Sequence, residues 1–212
     1  MTDYFPAFLD LRGRRCLVVG GGAIGGRKVR DLLGAGADVT VVSPALTPDL
    51  AALTRAGVIV HRPRRFRRVD VRGAALVIAA TGVPDVDAAV AAEARRRRAL
   101  VNVVDRPAEC DFILPSVLRR GRLQVAVSTG GASPALAREI RKRLEDVIGP
   151  EYAALVERVG RARQRARSLA PTAAARLAAG ERVVAEALAG FGAPSASAAV
   201  HPHTRTEHVE RI

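Results

Sequence analysis

The chain reads as an α/β protein: a parallel sheet covered by helices, then a short strand pair, then a helical region. Two observations predict this. Five short apolar runs alternate with segments of helical patterning, the rhythm of strands buried on both faces. The first run also breaks at Gly20-Gly-Gly22 and resumes at once with Val29, Leu32 and Leu33 at helical spacing.

The elements follow in order. Residues 15–20 form the first strand, and 23–35 the helix after the glycine turn, ending near Gly34 and Gly36. Residues 37–42 are a second strand, stopped by Ser43-Pro44, after which Thr47 caps a helix running to Ala56. Residues 58–60 form a third strand and 74–80 a fourth, with a helix from Asp85 to Arg98 before a fifth strand at 100–104. The rhythm then changes. Residues 112–118 and 123–127 flank Arg119-Arg-Gly-Arg122 and read as a strand pair joined by a turn. Ser133-Pro134 opens a helix to about Ile148, Gly149-Pro150 breaks it, and helices follow over 151–169 and 172–188. From Gly190 no periodic apolar face remains, so 191–212 is expected to be a disordered tail; His201 and His203 lie in it and are not expected to bind metal.

Gly20, Gly22 and Gly25 fit G-x-G-x-x-G between a strand and a helix, which makes the sheet domain Rossmann-type. Gly20 permits the tight turn, Gly22 lets a pyrophosphate approach the backbone, and Gly25 lets helix and strand pack closely. Unpaired N–H groups and the helix dipole then hold the anion, with Ala23 and Ile24 in the first turn. In an open parallel sheet the strand ends converge on one crevice, so Ser43, Pro44, Ala45, Thr81, Asn102 and Val104 are expected to line it. The acidic residue that often binds the adenosine ribose at the end of the second strand is missing; Ser43 stands there.

Composition narrows the class. Apolar residues make up 49% of 212 and aromatics only 3%, so the core is built from Val, Leu and Ala. No apolar run is long enough to cross a membrane, and residues 1–12 lack the pattern of a secretory signal. Cys16, in the first strand, reads as a small buried hydrophobe, and two cysteines make no disulfide framework; a reduced, cytoplasmic location is expected. The net charge is +13, and all but two of the 34 basic residues are arginine, which suits carboxylates and phosphates. Nucleic acid is not the expected partner, because no basic stretch is interleaved with aromatics and no zinc-finger spacing occurs.

Seven segments carry a more specific likeness: Pro6-Ala-Phe-Leu-Asp-Leu11, Val19-Gly-Gly-Gly-Ala-Ile-Gly-Gly-Arg-Lys28, Thr40-Val-Val-Ser-Pro44, Ala79-Ala-Thr81, Asn102-Val-Val-Asp105, Phe112-Ile-Leu-Pro-Ser116 and Val125-Ala-Val-Ser-Thr-Gly-Gly-Ala-Ser-Pro134. In this order they resemble the precorrin-2 dehydrogenase/sirohydrochlorin ferrochelatase family, the N-terminal domain of siroheme synthase, over about residues 1–150. The resemblance implies NAD-dependent oxidation of the tetrapyrrole precorrin-2 to sirohydrochlorin, with insertion of ferrous iron in some members. It also implies a homodimer, an NAD-binding domain over 1–111 and dimerisation strands and helix over 112–149; the helical patterning beyond it adds a helical domain over 150–190. NAD rather than NADP is expected because the family uses it and no basic residue directly follows Ser43. The methyltransferase domain of fused siroheme synthases has no counterpart here, so synthesis of precorrin-2 itself is not expected.

Asp105 is the expected catalytic residue. Oxidation removes a hydride from one atom and a proton from another, and a carboxylate just beyond the fifth strand can accept the proton. If iron is inserted, Asp105 could take pyrrole protons or hold the metal briefly; its competing role is a turn cap. Ser128, Thr129 and Gly130 form an anion nest for the substrate's carboxylates, with Ser133 capping the helix and Arg138 and Arg141 beside it. The resemblance implies that Ser128 or Thr129 can be phosphorylated. Cys110, without a nearby histidine, is a poor chelator. Two other readings remain open: an NAD(H)-sensing regulator binding DNA through the basic helix 158–167, and a dehydrogenase of an unrelated small substrate.

Overall fold

The structure is a computed structural model and describes residues 4–189 and Phe191. These divide into two compact units after Leu114. The remainder of the expected tail, with His201 and His203, lies outside the described residues.

The first unit contains strands β1 (Arg15–Val19), β2 (Asp38–Val42), β3 (Val60–Arg62), β4 (Leu76–Ala79) and β5 (Leu100–Val103). They form a parallel sheet in the order β3-β2-β1-β4-β5. The chain therefore steps outward from β1 to β3 and then returns to the other side of β1. Helices α1 (Ala23–Gly34) and α2 (Pro48–Arg55) cover one face through Val29, Leu32 and Leu50. Helix α3 (Pro84–Arg96) covers the other through Val90, Ala91 and Ala94. Along β1, Cys16 and Val18 pack on the first face while Leu17 and Val19 pack on the second, as two-residue periodicity requires. Each fully buried Val, Leu or Ile of this kind contributes about 1.5–3 kcal/mol of transfer free energy.

Three expectations need correction. The third strand is Val60–Arg62, not 58–60, and pairs Val42 with Arg62. Gly57, at φ +69°, and the bond from the Val58 amide to the Leu53 carbonyl close the end of α2, so Val58 still belongs to the connection. An edge strand needs one partner only, and His61 and Arg62 are tolerated there. Thr47 sits at the N-cap of α2, but its hydroxyl takes no amide, and Pro48 at the first position pre-sets the turn instead.

The third correction concerns the hairpin of the second unit. Its first strand, β6, is Ser116–Arg120 rather than 112–118, and pairs with β7 (Leu123–Val127). Phe112 instead packs on the core of the first unit, and Pro115 has no amide to give a ladder. The turn is Gly121-Arg122, with Gly121 at φ +56°. Helix α4 (Pro134–Val147) packs on this hairpin, followed by α5 (Glu151–Leu169) and α6 (Ala173–Ala189), which pack on each other. Tyr152 and Phe191 meet edge to face at 4.9 Å.

Candidate functional site

The glycine turn is built by close backbone approaches. Gly20 has φ +121° and donates its amide to the Val42 carbonyl at 3.0 Å. A Cβ on Gly20 would lie 2.2 Å from the Ala80 carbonyl oxygen, and one on Gly25 would lie 2.2 Å from that of Gly20. No side chain can occupy either position. Gly22 differs: a Cβ there would meet nothing within 4 Å. It is the N-cap of α1, contributes no side-chain cap, and is followed by no acidic residue in the first turn. The positive end of α1 thus faces open space beside Ala23 and Ile24, both exposed. A pyrophosphate fits that cradle, and any side chain at Gly22 would intrude on it. Gly21, to which sequence reasoning gave no role, sits where a Cβ would lie 2.2 Å from the Ala45 carbonyl and 2.9 Å from Ser43 Oγ. It seats the loop after β2 against the turn.

The strand ends gather around this turn. Ser43 is half-buried; its amide donates to the Arg62 carbonyl at 3.3 Å, and His61 Nε2 donates to its carbonyl at 2.9 Å. Pro44 and Ala45 are exposed. After β4, Thr81 gives its amide (3.2 Å) and hydroxyl (2.7 Å) to Asp87, which is buried in the first turn of α3. Asn102 is buried, and its Nδ2 donates to the Phe112 carbonyl at 3.0 Å, so its amide holds the chain that follows β5. Val104 is half-buried and donates its amide to the Ala79 carbonyl at 3.0 Å.

Asp105 stands just beyond β5, exposed, with φ +60°. The Arg106 amide returns to the Val103 carbonyl at 3.3 Å, so Asp105 occupies the turn position that favours glycine or asparagine. A left-handed conformation costs an ordinary L-residue about 1–2 kcal/mol, and such strain clusters at functional sites. Cys110 Sγ pins this turn, lying 3.2 Å from the Val103 carbonyl oxygen and 3.3 Å from that of Arg106, which share its single S–H donor. Burial raises its pKa, as it pushes the wholly buried Cys16 up to about 11, so both thiols are structural. Lys28, half-buried on α1, is a residue the sequence reading left without a role. Burial lowers its pKa, with Arg27 adding to the effect and Asp31 and Asp105 opposing it, so the ammonium lies within the field of Asp105. Its signal in the sequence was rarity: it is one of two lysines, and it closes the glycine motif. Among the described residues no group of three or more His, Cys, Asp or Glu gathers to hold a metal.

In the second unit, the loop before α4 is closed on itself. Thr129 Oγ1 donates to the Ser133 carbonyl at 3.0 Å and accepts from its amide at 2.9 Å, while Ser128 Oγ accepts from the Gly130 amide at 3.1 Å. Gly130 and Gly131 both have positive φ. Ser133 Oγ caps α4 by accepting from the Leu136 amide at 3.1 Å. Ser128 and Arg138 are exposed, and Arg141 is engaged by Glu145.

A family model described as NAD(P)-binding matches residues 7–116, which hold the whole glycine turn and all five strand ends. The chain belongs to this NAD(P)-binding family. A second model, for the central part of a sirohaem biosynthesis protein, matches residues 120–146. Among curated relatives, a siroheme synthase of Thioalkalivibrio sulfidiphilus is 52% identical over 158 residues, covering 73% of this chain and 32% of that protein. A siroheme synthase of Nitrosomonas europaea is 48% identical over 166 residues, covering 78% of this chain and 35% of that protein. The chain thus spans about a third of the length of these relatives. The solved structure of SirC, a precorrin-2 dehydrogenase, superposes with a TM-score of 0.70 at 24% identity, covering 88% of this chain and all of that one. The family resemblance drawn from the seven motifs and the expected Rossmann-type fold are borne out. In this NAD(P)-binding family member no described helix is long and apolar enough to cross a membrane.

Proposed function

We propose that the chain oxidises precorrin-2 to sirohydrochlorin with NAD as acceptor, a step of siroheme biosynthesis. The observation that carries this reading is Asp105: an exposed carboxylate held in a strained turn at the carboxyl end of β5, in the same unit as the uncapped glycine turn. The nicotinamide supplies the hydride acceptor when it is bound. The α1 amides hold the pyrophosphate, and Ser43 meets the adenosine ribose. Thr81, kept in place by Asp87, shapes the pocket after β4. Asp105 takes the proton that leaves the ring system as the hydride departs, and its exposure leaves it within reach of a bulky substrate. The relatives' name, siroheme synthase, supports the pathway.

Ferrous iron insertion is a second step proposed for Asp105, which would accept pyrrole protons as the metal enters. We further propose a cytoplasmic homodimer, consistent with the apolar Leu136, Ile140 and Val147 exposed on α4. Incubating the purified chain with precorrin-2 and NAD, and following NADH absorbance, tests the main reading. A folded sample that binds NAD yet produces no NADH would overturn it.

A further inference from the structure

We infer that Lys28 grips a carboxylate of the tetrapyrrole while Asp105 takes its proton, the two side chains holding the substrate between them. The inference rests on the reading of Asp105 as proton acceptor for precorrin-2, and adds to it a residue that binds without reacting.

The turn of α1 places Lys28. A Cβ at Gly26 would lie 3.7 Å from the Leu50 side chain and 3.9 Å from the Thr47 hydroxyl, and Arg30 reaches Asp49 at 3.4 Å. These two positions mark the flank of α1 that meets α2. Lys28 is two residues from each, about 160° around the helix, and so occupies the opposite flank. Because α2 joins β2 to β3, that flank looks across the same face of the sheet toward β4 and β5. Val29, the next residue, belongs to the cluster on which Val104, the residue before Asp105, is packed.

Charge gives the flank its task. Lys28 is half-buried, and burial works against its ammonium, yet no carboxylate lies within ion-pair distance of it among the described residues. Its neighbours Arg27 and Asp31 point to water. Asp105 favours the ammonium from a distance and makes no ion pair either, so the two opposite charges attract without touching. A cation that has given up part of its hydration and has no anion is poised to take one from a ligand. Precorrin-2 carries acetate and propionate side chains. A compact ammonium on a four-carbon stem can follow one of them as the ring settles against Asp105.

Titration of the full chain with sirohydrochlorin, followed by its absorbance, tests this beside steady-state kinetics with precorrin-2 and NAD+. The variants are Lys28→Met, Lys28→Arg and, on the α2 flank, Arg30→Ala. Lys28→Met should weaken sirohydrochlorin binding and raise the KM for precorrin-2 about tenfold or more, with kcat within about threefold and NAD+ affinity within about twofold. Since burial already opposes the charge, the urea midpoint of Lys28→Met should stay at or above that of the wild type. Lys28→Arg restores the charge and should recover sirohydrochlorin binding to within about threefold. Arg30→Ala should match the wild type. Unchanged sirohydrochlorin binding in Lys28→Met would overturn the inference and leave the proposed function standing. So would a fall in kcat with KM unchanged, an equal loss of NAD+ affinity, or the same loss in Arg30→Ala. If the wild type binds NAD+ but neither sirohydrochlorin nor precorrin-2, the proposed function falls as well.

Discussion

Asp87 and Thr81 are joined twice: the carboxylate, buried in the first turn of α3, accepts from both the amide and the hydroxyl of Thr81, two residues beyond the end of β4. One acid thereby serves the α3 dipole and fixes the loop that faces the nucleotide turn. Asp87→Ala strands two donors and should lower stability by about 1–3 kcal/mol in urea unfolding, with weaker dinucleotide binding. If binding survives while stability falls, Asp87 serves α3 alone.

The glycines of the turn should separate folding from binding. Gly20→Ala and Gly25→Ala push a methyl to 2.2 Å from a backbone carbonyl oxygen, and each should destabilise by about 2 kcal/mol or more. Gly22→Ala meets open space and should leave the unfolding midpoint nearly unchanged while cutting NAD+ affinity at least tenfold. A Gly22→Ala protein that binds NAD+ normally would remove the pyrophosphate from this place.

Asp105 offers a sharper dissection. Asparagine tolerates the left-handed turn, so Asp105→Asn removes the charge and keeps the backbone. Its turnover with precorrin-2 should fall by about a hundredfold or more, with NAD+ affinity retained. Asp105→Gly relieves the conformational cost and should raise thermal stability while being equally inactive. Full activity in either variant would return Asp105 to a purely structural role.

Acid should loosen the segment that follows β3, where buried Asp70 is held by Arg62 and Arg64. Burial by itself would raise the Asp70 pKa, but hydrogen bonds from Arg64, the Arg67 amide and Arg62 more than offset it and hold the group at about 2. Because this folded value lies below the unfolded one, the contribution is complete above about pH 4 and is lost as pH falls toward 2. Glu93, held at about 2 by Arg96 and Arg97, acts in the same window. Urea midpoints should therefore drop between pH 4 and 2, with a shallower slope in Asp70→Asn. An unchanged slope would show that Asp70 contributes nothing to acid sensitivity.

Much of the site could be read along the chain because the glycine turn is local: strand, turn and helix follow without interruption from Arg15 to Gly34. The separate roles of Gly20, Gly22 and Gly25 follow from spacing, and the missing acid at Ser43 is visible at once. The third strand was misplaced because an edge strand is defined by the partner that takes its hydrogen bonds, and His61 and Arg62 carry no apolar signal. Phe112 misled for the opposite reason, since its apolar side chain belongs to the sheet core and not to a ladder.

From its residues alone, then, this protein announces an α/β sheet, a phosphate-sized elbow of bare backbone and an acid after the fifth strand. Folding decided what lies beside what: Arg62 of β3 arrives next to Ser43, nineteen positions away in sequence, through a parallel pairing that no local pattern encodes. It also decided that Asp105 is strained and Asn102 occupied. Local turns depend on nearest neighbours, whereas charge, register and strain at a site depend on segments brought together only when the core is buried.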